Sequence, residues 1–175
     1  MTQKKDNFIM LPKVDICFKG LMNNPKVRKG FIAALLQKDP ETIRETELLP
    51  TVLRQDYPDE NLKKCVHVSI LDFTLFEDDE CYRCITFCDR KTGKVYTDLL
   101  EIQIMELGKI PKELERETDI IRWMRFLNGK NRKEFEDMAK TDEYLDEACR
   151  ELEQTSRRSW NMKPGSGPSG IITLR

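Results

Sequence analysis

A single histidine, His67, serves the whole chain. Its solitude excludes metal motifs built on histidine pairs, and without a Gly-x-Ser-x-Gly elbow no Ser-His-Asp hydrolase can be assembled. A lone strand histidine reads as a hydrogen-bonded structural residue rather than a general base. There is no Walker loop and no Gly-x-Gly-x-x-Gly. Gly165 to Gly170 shares only composition with such loops, because no strand precedes it. Long apolar runs are also missing: nothing approaches the roughly 18 residues of a membrane span. Met1 to Asp6 lacks the apolar stretch of a secretory signal, so a cytoplasmic chain with no membrane partner is expected.

What is present suits one ordinary domain. Over 175 residues, 39% hydrophobic and 35% charged side chains allow a core, though a thin one. The net charge of -1 hides an asymmetry. Residues 1–40 hold 8 basic and 3 acidic side chains, whereas residues 41–80 hold 4 basic and 11 acidic. A basic N-terminal lobe would suit phosphate; solvated faces that balance each other are the plainer account.

Six cysteines, Cys17, Cys65, Cys81, Cys84, Cys88 and Cys149, are many for a reducing compartment. Cys81 and Cys84 have metal-ligand spacing, with Cys65 and His67 near in sequence. They interrupt a strand-like run, however, which sends them to opposite faces. Thiols packing as small hydrophobes are expected instead.

The patterning predicts an α+β chain: an N-terminal helical lobe, a small central and mostly antiparallel sheet, and C-terminal helices. Val27, Phe31, Ala34 and Leu35 form one helical face after Pro25, and Asp39-Pro40 ends it. Val14, Ile16 and Phe18 open a short turn or extended lead-in that Gly20 limits. Cys65 to Phe76 reads as a strand with Val66, Val68 and Ile70 on one face. Tyr82 to Cys88 and the region around Leu99 to Met105 complete a three-stranded meander, with Gly93 at a positive-φ turn position. Thr118 caps a helix that Asn128-Gly129 stops, and Asn131 with Glu134 resembles a capping box. Tyr144, Leu145, Ala148, Cys149 and Leu152 give a last apolar stripe. From Ser156 the composition becomes that of a linker, so residues 1–155 are expected to fold and 156–175 to be disordered.

Several segments together resemble a known family. Leu11-Pro12-Lys13-Val14-Asp15-Ile16-Cys17-Phe18-Lys19, Leu48-Leu49-Pro50-Thr51, and the run from Leu62 to Phe73 occur in the order seen in bacterial recombination-promoting nucleases and transposases. Gly93 to Asp98 and Trp123-Met124-Arg125-Phe126 continue the likeness, which covers residues 8 to 155. That family belongs to the PD-(D/E)xK nuclease superfamily, so the resemblance implies a mobile-element DNA endonuclease with Mg²⁺-activated water.

The resemblance also implies what is absent. Members carry an Asp strand, a hairpin and a Glu-x-Gln strand between the Leu-Pro strand and the Lys-Lys-Cys strand. Asp and Glu bind the metal, and Gln replaces the lysine. Here Tyr57-Pro58-Asp59-Glu60 runs straight into Asn61-Leu62-Lys63-Lys64, so a deletion near 60–62 is expected to have removed the catalytic strands. Asp72 and the Glu101-Ile102-Gln103 triplet imitate the lost motifs. Their neighbours match the family downstream of its active site, so solvated strand-face residues are the reading for them. Trp160 and Met162 have single codons, and the DNA behind Ser159 to Leu174 can encode a charged helix one frame over. A frameshift near Ser156 fits the loss of helical pattern.

The expectations are therefore a catalytically inactive remnant with no catalytic residue, no metal site and no retained cofactor. Weak electrostatic DNA contact through Lys13, Lys19, Lys26, Arg28 and Lys29 is expected. So is self-association through sheet edges uncovered by the deletion. The competing class is a non-enzymatic interaction module.

Overall fold

A computed structural model describes residues 9–44, 48–49, 64–113, 116–161 and 173–174. The expected deletion near 60–62 and the Gly165–Gly170 segment lie outside the described residues. The helices α1 (Asp15–Asn23), α2 (Pro25–Leu36), α3 (Asp119–Asn128), α4 (Arg132–Ala139) and α5 (Glu143–Asn161) form one compact unit. The strands β1 (Leu48–Leu49), β2 (Cys65–Leu71), β3 (Tyr82–Cys88), β4 (Val95–Glu106) and β5 (Thr173–Leu174) form a second. The chain is α+β, as its patterning predicts.

In the helical unit the apolar stripes converge on a row of aromatic rings. Phe18, Phe31, Trp123, Phe126 and Phe135 meet edge-to-face in sequence, with centroids 5.3 to 6.0 Å apart. Each such pair adds about 0.5–1.5 kcal/mol beyond area burial. Around them Leu21, Val27, Leu127, Leu145 and Leu152 are fully buried. α2 begins as expected. Asn24 caps it, its Oδ1 accepting from Lys26 N–H at 3.0 Å and Val27 N–H at 3.3 Å. The Asn24 Nδ2 donates to Glu147 at 2.9 Å and Glu151 at 3.2 Å, tying the α1–α2 turn to α5. A Cβ on Gly30 would fall 2.5 Å from the Tyr144 side chain, so glycine lets α2 lie close to α5.

Three local expectations need correction. Gly20 does not limit the first helix, because α1 continues to Asn23 with Gly20 facing Thr155. Thr118 occupies the N-cap position of α3, but its hydroxyl makes no cap bond. The boundary expected at Ser156 falls inside α5. Ser156 is buried, donating to Leu152 C=O at 2.7 Å and accepting from Met10 N–H at 2.8 Å. Its hydroxyl is thereby satisfied within the helix, which is why a polar residue does not end it. Asn131 and Glu134 do form a reciprocal cap: Asn131 Oδ1 accepts from Glu134 N–H at 3.1 Å, and Glu134 accepts from Lys130 N–H at 2.8 Å.

The sheet runs β1-β5-β2-β4-β3. The meander is overturned, since β4 separates β2 from β3. β2 pairs with β4 in parallel, from Cys65 beside Leu100 to Leu71 beside Glu106. β3 pairs antiparallel with the same strand. β4 is the longest strand, and the segment 72–81 is long enough to carry the chain past a vacant place for it. The best-buried stretch of the unit follows from that central position, from Gln103 to Leu107. The remaining pairings are antiparallel. Gly93 holds φ +69°, as the turn reading requires.

Glu106 organises the connection after β2. Its carboxylate is buried and accepts from Leu75 N–H at 2.6 Å, Phe76 N–H at 3.3 Å and Lys109 Nζ at 3.0 Å. Burial pushes its pKa up, but these donors outweigh burial and leave it below the usual carboxylate range.

Candidate active site and phosphate-facing surface

The parallel register puts Glu101 and Gln103 of β4 on one face with Val66 and Val68 of β2 and with Cys84 and Thr86 of β3. Both are buried rather than solvated, which corrects the expectation for them. The cause is topological: a central strand has neighbours on both sides. Gln103 Nε2 donates to Glu101 Oε1, and Lys64 Nζ lies 2.6 Å from Glu101 Oε2. Burial raises the Glu101 pKa, but the hydrogen bonds from Lys64, Gln103 and Cys84 carry it below the usual range. Burial, with Glu101 beside it, pushes the Cys84 thiol up to about 11. Lys64 is held protonated by the same carboxylate.

This arrangement is a neutralised pair rather than a metal cradle. Leu71 sits beside Glu106, five strand steps from Glu101, roughly 17 Å at about 3.3 Å per residue, and exposed Asp72 follows it. Ligands of one Mg²⁺ each lie at about 2.1 Å from the ion, so Asp72 and Glu101 do not share one. Among the described residues no group of three or more His, Cys, Asp or Glu is placed to hold a metal. The divalent ion that an intact nuclease uses therefore finds no fitting donor set among them.

The matched segment decides the relationship. The family model for PD-(D/E)XK nuclease family transposases matches residues 51–163, most of the chain. The chain belongs to that family. No curated protein and no solved structure matches it. For a PD-(D/E)XK transposase relative, two regions carry interest: the β4 pair just described and the basic N-terminal lobe. No helix among the described residues is long and apolar enough to cross a membrane.

In that lobe the structure holds the expected cations against partners. Lys19 pairs with Asp15 at 2.7 Å, Lys26 with Glu143 at 2.7 Å, and Lys29 with Glu41 at 2.9 Å. Arg28 donates to the Met22 carbonyl at 2.7 Å, closing the end of α1. Lys13 is exposed. Glu143 raises the Lys26 pKa and Glu41 that of Lys29, so both charges are firmly held. Lys26, Arg28 and Lys29 do come together at the start of α2. There Asn24 already accepts from the Lys26 and Val27 N–H groups, which are the ones a phosphate would seek.

Sequence reasoning missed Lys64 as the partner of Glu101 and Glu147 with Glu151 as partners of Asn24. Neither has a local signal, because each pairing joins segments far apart in sequence. Pro25 was legible as the start of α2, but the Asn24 cap and its bonds to α5 were not.

Proposed function

We propose that this transposase-family chain is a catalytically silent remnant of a recombination-promoting type of DNA endonuclease, retaining weak electrostatic affinity for DNA. One observation carries the reading: the sole Glu-x-Gln pair is engaged by Lys64, with Asp72 at the far end of the strands. Phosphodiester hydrolysis needs ligands that act as a unit, and one carboxylate neutralised by lysine does not replace them. The proposed deletion near 60–62 accounts for the missing Asp and Glu-x-Gln strands. A frameshifted end is proposed only for the segment after α5.

Residual binding rests on Lys13, Lys19, Lys26, Arg28 and Lys29 as phosphate contacts. Because these cations already have partners, DNA must compete with carboxylates and carbonyls, and affinity is weak and salt-sensitive. Purified protein with supercoiled plasmid and Mg²⁺ or Mn²⁺ is expected to nick no faster than buffer. Nicking that Asp72→Ala or Glu101→Ala abolishes would overturn the reading. In a salt titration, Lys26→Ala, Arg28→Ala and Lys29→Ala together should weaken binding and flatten the salt slope by up to about three.

A non-enzymatic interaction module is the second reading. The exposed apolar side chains of β3 and β4, Phe87 and Tyr96 among them, favour it.

A further inference from the structure

β3 forms one edge of the sheet, with β4 as its neighbour on the other side. An edge offers a row of backbone donors and acceptors to any extended chain that fits it. Cys84 to Cys88 are all exposed, Ile85 at 36% and Phe87 at 44%. The register shift near Phe87 is taken up by β4, so β3 continues as one strand from Tyr82 to Cys88.

The strand has a sequence of unusual symmetry. Cys84-Ile85-Thr86-Phe87-Cys88 reads cysteine, apolar, threonine, apolar, cysteine from either end. Its flanks are opposite in charge. Glu77, Asp78, Asp79 and Glu80 precede it, while Arg90, Lys91 and Lys94 follow, all exposed. An antiparallel partner of the same sequence brings the acidic flank of each copy beside the basic flank of the other. A parallel partner would set acid against acid and base against base.

We propose that β3 pairs antiparallel with β3 of a second copy of this chain, about a two-fold axis at Thr86, so that one sheet runs through both copies. In this register Ile85 lies opposite Phe87 of the second copy, and Cys84 lies opposite its Cys88. Arg83 faces Asp89 of the second copy. A two-fold contact doubles every one of these pairs. Charge complementarity selects the antiparallel direction, and the apolar pair Ile85–Phe87 selects the register. The contact withdraws from water the very residues that this edge leaves exposed.

The cysteines make the register testable. Directly opposed residues of antiparallel strands have Cα atoms about 4.5–5.5 Å apart, within the range of a disulfide. The full chain is examined by sedimentation velocity over a range of concentration, and by non-reducing gels after mild oxidation with diamide. The expected result is a dimer that salt weakens and that Phe87→Lys weakens by about tenfold or more. Far-UV circular dichroism of the Phe87→Lys variant is expected to match that of the unaltered chain, because Phe87 is exposed. Cys84→Ser protein alone and Cys88→Ser protein alone should lose the cross-link. A mixture of the two should regain it, because Cys88 of one then faces Cys84 of the other. Peptide mapping should identify the bond as Cys84–Cys88. A monomer at all concentrations overturns the proposal, as does a dimer indifferent to Phe87→Lys, or a mixture that fails to restore the bond.

Discussion

The helical unit and the sheet unit spend their apolar residues differently. In the helices the large side chains turn inward, and a row of five aromatic rings runs through the interior. In the sheet unit, Phe73, Leu75, Ile85, Phe87, Val95, Tyr96, Leu99 and Leu100 are exposed, whereas among the described residues of the helical unit the exposed large hydrophobic is Val14. An amphipathic helix can satisfy itself with other helices, and these helices are present in sufficient number to do so. A strand has two faces and two edges to cover, and in a short sheet some of them stay open. The difference teaches which unit depends most on neighbours distant in sequence: the sheet, whose strand order departs from chain order.

The sharpest way to break the comparison is to truncate a core ring. Phe31→Ala in the aromatic row is expected to cost about 3–5 kcal/mol, read from the midpoint of urea unfolding followed by helical circular dichroism. A loss under about 1 kcal/mol would mean that the helical interior is not packed as described. Next comes the cap that ties α2 to α5. Asn24→Ala should cost about 1–2 kcal/mol, through lost N-terminal capping and the stranded Glu147 and Glu151 carboxylates.

Acid sharpens the contrast from the side of the sheet. The folded-state pKa of Glu106 lies below its ordinary value of 4.5. Its stabilising contribution is therefore fully present above 4.5 and is lost as pH falls through the lower folded value. The loop amides of Leu75 and Phe76 should lose hydrogen-exchange protection in that acid window. Glu106→Gln should remove most of the pH dependence at those two amides. The smallest effect belongs to the open side: at protein concentrations low enough to keep the chain monomeric, Ile85→Ala is expected to shift stability by less than about 0.5 kcal/mol. A cost in the monomer near that of Phe31→Ala would show that Ile85 is buried within its own chain.

How far the residues announced all this depended on sequence distance. α2, β3 and the Gly93 turn were legible, because periodicity, proline and a positive-φ glycine act within a few residues. The apolar face of β2 was legible for the same reason. Strand order was not: a strand of alternating pattern looks the same whether it lies at an edge or at the centre, and only the pairing reveals that β4 divides β2 from β3. That hidden order decided the fate of Glu101 and Gln103, which read as surface residues and are buried. Ser156 misled for a different reason, since its helical role rests on bonds to Leu152 and Met10 that composition does not disclose.

The central place of β4 also sets a timetable for synthesis. β2 and β3 leave the ribosome before the strand that must lie between them, with Cys65 waiting for Leu100. At about 5–20 residues per second, that interval lasts roughly 2–7 s. Once Cys88 has followed, and until β4 is made, two apolar strands lack the neighbour that will divide them and are free to pair with each other, in the meander order that the finished molecule does not have. A released chain that ends just before Val95 has only that alternative ladder open to these two strands, and completing β4 requires its disruption.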